Sequence, residues 1–145
     1  MKINKNKHLP LDKFLNNVLY DKKSGYYSHK NPIGKEGDYI TAPNISVLFS
    51  EMIAIWCVAY WESLGCPKKI NIVELGGGNG EMMYQMIQVF KKFNKFNKSN
   101  NCYILEKSQL LKKIQKKKLF SHKIIWINSL NKLKNIPCIF LANEF

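Results

Sequence analysis

Apolar residues fall on two different periods along this chain, and the switch between them organises it. Leu11, Phe14, Leu15, Val18 and Leu19 recur at helical spacing and predict a helix over 11–19. Ile45, Leu48, Phe49, Met52, Ile55, Trp56, Ala59 and Tyr60 follow the same period and end near Gly65 and Pro67. They predict a long amphipathic helix that packs on the core through this stripe. Between the two helices, residues 20–31 are turn-rich around Gly25, and residues 32–43 are polar and glycine-punctuated, which predicts a loop. From Ile70 onward the pattern changes to short, largely apolar runs separated by helix-length segments. Strands are expected at 70–75, 102–106, 124–127 and 138–142, and helices at 81–93 and 108–119. Leu110, Leu111, Ile114 and Leu119 would face inward on the second of these helices, and the Lys/Asn-rich stretch 91–101 reads as an extended solvated loop. Alternating β and α elements predict an α/β fold with a parallel, doubly wound sheet.

The first strand runs into the chain's most informative segment, Glu74-Leu75-Gly76-Gly77-Gly78-Asn79-Gly80. Glycines at 76, 78 and 80 permit positive φ and let a ligand approach bare backbone. The helix that follows would aim its free N–H groups at that ligand. The spacing is not G-x-G-x-x-G, because Glu81 and Asn79 stand where dinucleotide-binding glycines would be, and no Gly-Lys-Ser/Thr follows as in a P-loop. What fits is E-x-G-x-G-x-G, which resembles the first motif of class I S-adenosylmethionine-dependent methyltransferases.

Chemistry-bearing residues also fall at the other strand ends, where an open α/β sheet binds its ligand. Glu74 ends the first strand, where a carboxylate can hold an ammonium group. Glu106 ends the second, where a carboxylate can accept both ribose hydroxyls. Asn143 and Glu144 end the fourth, where a methyl acceptor would sit. If the acceptor is a guanidinium, Glu144 is the acid placed to localise its charge; if it is an amide or base nitrogen, Asn143 matters more.

Composition limits the partners. The 145 residues suffice for one domain with a core. There are 23 basic and 10 acidic residues, a formal charge of +13, yet every basic residue is lysine. Lys, Asn and Ile are abundant together, as in AT-rich coding sequence. The absence of arginine, the preferred bidentate ligand of phosphates and bases, argues against nucleic acid as partner. Cys57, Cys66, Cys102 and Cys138 show no C-x-x-C spacing, and His8, His29 and His122 do not pair with them, so neither metal nor disulfide is expected. The basic N-terminus lacks an apolar signal core, and the longest apolar run, Val47 to Trp61, contains Glu51 and is too short to span a bilayer. A soluble, cytoplasmic protein without membrane insertion is expected.

Several segments taken in order, Gly25-Tyr26-Tyr27, Gly34 through Pro43, Phe49-Ser50-Glu51 with Trp56, Glu74 through Gly80, Glu106-Lys107-Ser108 and Asn143-Glu144-Phe145, resemble the MidA-type methyltransferases. This is the family of the mitochondrial protein-arginine methyltransferase that assists respiratory complex I assembly. The resemblance implies a bacterial, class I methyltransferase (Rossmann-like) core, with S-adenosyl-L-methionine as donor and a protein arginine, on a complex I subunit or similar partner, as acceptor. It implies an N-terminal helical extension and site-covering loop over 1–67, and the N-terminal half of the cofactor-binding core over 68–145. By position, Glu74, Gly76, Gly78 and Gly80 would form the cofactor loop, Glu106 would take the ribose, and Asp38, Thr41 and Pro43 would belong to the covering segment. The chain departs from the family pattern at Gly77 and Asn79, where proline and arginine are usual, and at Ser50, where glycine is usual. It also stops at Phe145, where the family continues, so a partial core with weak or no activity of its own is expected. Two alternatives follow: an RNA or small-molecule methyltransferase on the same core, or a noncatalytic half that pairs with a missing C-terminal half.

Overall fold

The computed structural model describes residues 8–34, 36–133 and 135–143. Among these residues four helices come first: α1 (Leu11–Tyr20), α2 (Tyr26–His29), α3 (Ala42–Ile45) and α4 (Val47–Ser63). Then come β1 (Ile70–Leu75), α5 (Glu81–Phe90), α6 (Asn94–Ser99), β2 (Asn100–Leu105), α7 (Gln109–Lys118), β3 (Ile124–Ile127), a 3-10 turn at Leu130–Lys132, and β4 (Cys138–Leu141). The strands form one sheet in the order β3-β2-β1-β4, and every pairing is parallel. The chain moves outward from β1 through β2 to β3 and then returns to the other side of β1. The order reverses between β1 and β4, and in an open parallel sheet the crevice at such a reversal is where ligands bind.

β1 is central and buried from Ile70 through Glu74, as a parallel strand covered on both sides should be. Successive side chains point to opposite faces, and the two faces differ. Ile70, Ile72, Cys102, Ile104 and Ile139 pack with α4, α5 and α6 in the main core. Val73, Tyr103 and Ile127 form a smaller cluster with Leu75, Leu105 and Leu133. On that second side Ile125 and Phe140 remain about half exposed.

The expected helix near 45–64 forms, but of the expected stripe Phe49 packs against the core while most of the rest does not. Its buried residues are Ser50, Ala54, Cys57, Val58 and Trp61, while Leu48, Met52, Ile55, Trp56 and Tyr60 are exposed. The physical reason lies in the composition of α4, which is apolar around its whole circumference, so that periodicity cannot select a face. Packing selects the small residues Ser50, Ala54 and Cys57, all at 0% exposure, because they allow close approach to the core. Trp56 and Tyr60 stack on each other instead, with ring centroids 5.2 Å apart. The apolar stripe of α1 is likewise not buried, although the helix itself lies where its spacing predicts. The Lys/Asn-rich stretch is not an extended loop: Asn94–Ser99 is helical and β2 begins at Asn100. Phe96, fully buried against Trp61 and Phe90, holds that turn of helix to the core.

The loop over 32–43 is tightly closed. Both Asp38 N and Tyr39 N donate to Pro32 O, at 2.7 and 3.1 Å, and Gly34 N donates to Tyr39 O at 3.0 Å. A Cβ on Gly37 would lie 2.3 Å from Pro32 O, so this closure requires glycine. No helix among the described residues is long and apolar enough to cross a membrane.

Trp61 joins α4 to the core and donates from Nε1 to Pro67 O at 2.9 Å. Trp61→Ala is expected to lower the unfolding free energy by about 3–5 kcal/mol, the range for deleting a buried aromatic. Urea denaturation followed by far-UV circular dichroism measures this, and a loss below about 1 kcal/mol would contradict the packing described.

Candidate functional site

The turn after β1 is left-handed at alternate positions, with φ of +67° at Gly76, +53° at Gly78 and +81° at Gly80. A side chain at any of these would be strained. Gly76 N donates to Leu105 O at 2.9 Å, so the turn stays zipped to β2 for one residue beyond the strand. Gly80 N then folds back to Gly77 O at 2.7 Å, and α5 starts. This turn forms one wall of a cavity of about 360 Å³, within the range of small-molecule sites.

The cavity gathers residues distant in sequence. Glu74, Gly76, Gly78, Glu106 and Asn143 line it from the strand ends, and Thr41 and Pro43 line it from the N-terminal segment. Gly80 lies behind it as the left-handed N-cap of α5. Asp38 stands apart: its carboxylate accepts from Tyr26 Oη at 2.7 Å and pairs with Lys30 Nζ at 2.6 Å on the surface. Glu144 lies outside the described residues. Three tyrosines not foreseen as site residues, Tyr20, Tyr27 and Tyr39, complete the apolar wall. Tyr26-Tyr27 was a visible signal for one of them, since paired aromatics in a turn-rich segment need a surface to cover. Asn44 was also missed. It accepts from Asn79 Nδ2 at 2.7 Å and ties the covering segment to the glycine turn.

A second tie is made by Ser108. Its hydroxyl accepts from Leu111 N at 3.1 Å, capping α7. It also donates to Tyr27 O at 2.6 Å, so the cap of α7 positions the tyrosine segment over the cavity.

The two acids have unequal surroundings. Glu106 Oε1 accepts from Ser108 N at 2.8 Å, and Oε2 accepts from Gln115 Nε2 at 2.9 Å. Burial pushes its carboxyl above the usual range, and these donors, with Lys112 nearby, act in the opposite direction. Glu74 is more extreme. It is 3% exposed, and its Oε2 has no hydrogen-bond partner. Burial, with the Glu106 charge adding to it, pushes its carboxyl up to about 8. A buried carboxylate oxygen without a partner costs free energy, and a cationic ligand group would supply what is missing.

S-adenosyl-L-methionine can be tested against this arrangement. It carries an ammonium, a ribose diol and an adenine. The cavity offers a buried acid with an unpartnered oxygen, a second acid held by protein donors at the cavity wall, and a bare backbone turn. A Cβ on Gly78 would sit 3.1 Å from Ile33 Cδ1, so the cradle has no room for a side chain there. The residues fit the group.

Comparison with known proteins agrees with this geometry. Residues 52–145 match the model of a family described as "Putative S-adenosyl-L-methionine-dependent methyltransferase". The chain belongs to that S-adenosyl-L-methionine-dependent methyltransferase family. Among curated proteins it is similar to the mitochondrial protein arginine methyltransferase NDUFAF7 of Xenopus laevis, 39% identical over 51% of this chain and 17% of that one. The Bos taurus counterpart is 32% identical over 77% of this chain and 26% of its own length. In fold it is similar to a protein from Burkholderia thailandensis crystallised with S-adenosyl-homocysteine, with a TM-score of 0.73, 20% identity, and coverage of 91% of this chain and 36% of that one. The chain therefore spans well under half the length of the relatives it matches.

Protonation of Glu74 gives a pH test. The folded state retains a proton that the unfolded chain releases above about 4.5, so stability falls as pH rises from there toward about 8. Glu74→Gln is expected to remove that part of the decline in ligand-free protein. Urea unfolding of both proteins at several pH values across this window measures it. Identical pH slopes for the two proteins would contradict the assigned protonation.

Proposed function

We propose that this chain supplies the cofactor side of a methyltransferase site whose acceptor is an arginine of a protein partner. The observation that carries the cofactor side is the pair of acids beside the glycine turn, Glu74 with an unpartnered Oε2 and Glu106 held by Ser108 N and Gln115, lining one cavity. Bound there, S-adenosyl-L-methionine supplies a methyl group on an electron-poor sulfonium. In this reading Glu106 accepts the ribose hydroxyls, and Glu74 neutralises the ammonium and gives up its proton in doing so. The glycine turn offers backbone rather than side chains to the ligand. Tyr20, Tyr27 and Tyr39 keep water out of the cavity, which an in-line displacement requires.

The acceptor is assigned by similarity. The similar proteins of Xenopus laevis and Bos taurus are named protein arginine methyltransferases. Asn143 lines the cavity on the β4 side, next in sequence to Glu144, the acid assigned to a guanidinium. A subunit of a respiratory complex is the partner class that the family resemblance implies, and a cytoplasmic site of action accompanies it. Turnover is proposed for a site completed by further polypeptide, of this chain or another, that covers the exposed apolar side of α4 and the open side of the sheet.

Isothermal titration with S-adenosyl-homocysteine tests the cofactor side. Wild type is expected to bind, and Glu106→Ala to weaken binding by about tenfold to a hundredfold, the value of losing hydrogen bonds to a charged group. Equal affinity in the two proteins, or no binding by folded wild type, would overturn the proposal.

A further inference from the structure

The most completely satisfied buried polar side chain next to the cavity is Gln115, on α7, at 0% exposure. Its carboxamide contacts three elements. Nε2 donates to Glu106 Oε2 at 2.9 Å and to Gly78 O at 2.9 Å, and Oε1 accepts from Trp126 Nε1 on β3 at 3.0 Å. The orientation of the amide is fixed by chemistry. An indole N–H can only donate, so the oxygen must face Trp126, and the NH2 group faces two acceptors. Gln115 therefore links the carboxylate assigned to the ribose, the carbonyl in the middle of the glycine turn, and the outer strand of the sheet.

The glycine turn is shaped around this amide. Gly77 is not in the left-handed region, so its backbone conformation does not demand glycine. Space does: a Cβ at 77 would lie 2.9 Å from Ile104 Cγ2 and 3.2 Å from Gln115 Nε2. Proline, the residue usual at this place in the family pattern, would crowd the same amide. Gly77 thus leaves room for Ile104 and for the Gln115 amide together.

We infer that Gln115 is a positioning residue for cofactor binding, aiming the Glu106 carboxylate at the ribose diol and anchoring the Gly78 carbonyl behind it. The inference rests on the reading of this cavity as the cofactor site. With Oε1 held by Ser108 N and Oε2 by Gln115, the carboxylate plane is fixed from two directions, and the Lys107 backbone N–H adds to that support. The carboxylate so held lines the cavity, where ligand hydroxyls would meet it. Removing one support leaves a buried acid with a freer rotamer and a weaker preference for its charged form.

A purely structural amide would serve Trp126 alone, and its loss would weaken every ligand alike. A positioning amide acts through the diol. The test is calorimetric titration of the full chain with S-adenosyl-homocysteine and with its 2′,3′-dideoxy analogue, for wild type, Glu106→Ala and Gln115→Met. Methionine keeps the volume and loses the hydrogen bonds. Wild type is expected to prefer the diol ligand, and Gln115→Met to lose about tenfold toward that ligand while changing little toward the analogue. The lower pH limit of diol-ligand binding is expected to move upward in Gln115→Met, because Glu106 protonates more readily without its donor. Gln115→Asn, which withdraws the amide by one methylene, is the second variant and carries the same expected loss of preference. Equal weakening toward both ligands, or a retained diol preference with an unmoved pH limit, would overturn the inference while Glu106→Ala still reports the site. A wild type that binds neither ligand would instead overturn the cofactor reading on which the inference rests.

Discussion

Leu75 is paired with Leu105 in a parallel, in-register ladder, and Gly76 N extends that ladder to Leu105 O by one more bond at 2.9 Å. This pairing places the ends of β1 and β2 side by side. Glu74 and Glu106, which are 32 positions apart in the chain, thereby line the same cavity. The glycine turn has to leave β1 within the space between them. A one-residue slip of register would exchange the faces of every β2 side chain and separate the acids. The cavity, the tyrosine wall and the cap at Ser108 all build on that single register.

The arrangement carries a cost that the rest of the fold offsets. Two carboxyls are buried beside one cavity, and one of them has an oxygen with no protein partner. Burial holds Glu74 toward its neutral form, and Glu106 adds to the effect. In the proposed reading, a site in this condition is preorganised for a positively charged group and a pair of hydroxyls, because binding restores what folding removed. The support comes from polar side chains that are themselves buried and satisfied. Ser108 caps a helix and holds Tyr27, and Gln115 holds Glu106, Gly78 and Trp126.

Much of this was readable from residues alone, for physical reasons that vary from place to place. The strands at 70–75 and 124–127 appear at the expected positions because short, mostly β-branched apolar segments bounded by turn or polar residues have few other solutions, even with Asn71 and Glu74 inside the first. Seven of the ten residues assigned to the site, Thr41, Pro43, Glu74, Gly76, Gly78, Glu106 and Asn143, line one cavity; parallel topology brings the five at strand ends together, and the N-terminal segment adds Thr41 and Pro43. The face of α4 was not readable, because an all-round apolar helix has no period to read. Asp38 belongs to a short polar motif whose spacing does not tell which of its side chains turns inward. Gln115 stands between Leu111 and Leu119 at successive four-residue steps, on one helical face. A glutamine centred on a buried leucine stripe was the available signal, and the surrounding lysines masked it.

The central claim is that Glu74 and Glu106 hold opposite ends of one ligand across the glycine turn. A crystal structure of the chain with S-adenosyl-homocysteine tests it most directly. The account predicts the ribose hydroxyls on the Glu106 carboxylate and the ammonium group at the Oε2 of Glu74, with the Gln115–Glu106 hydrogen bond retained. A ligand seated elsewhere, or one bound in this cavity with Glu74 Oε2 still unpartnered, would contradict it.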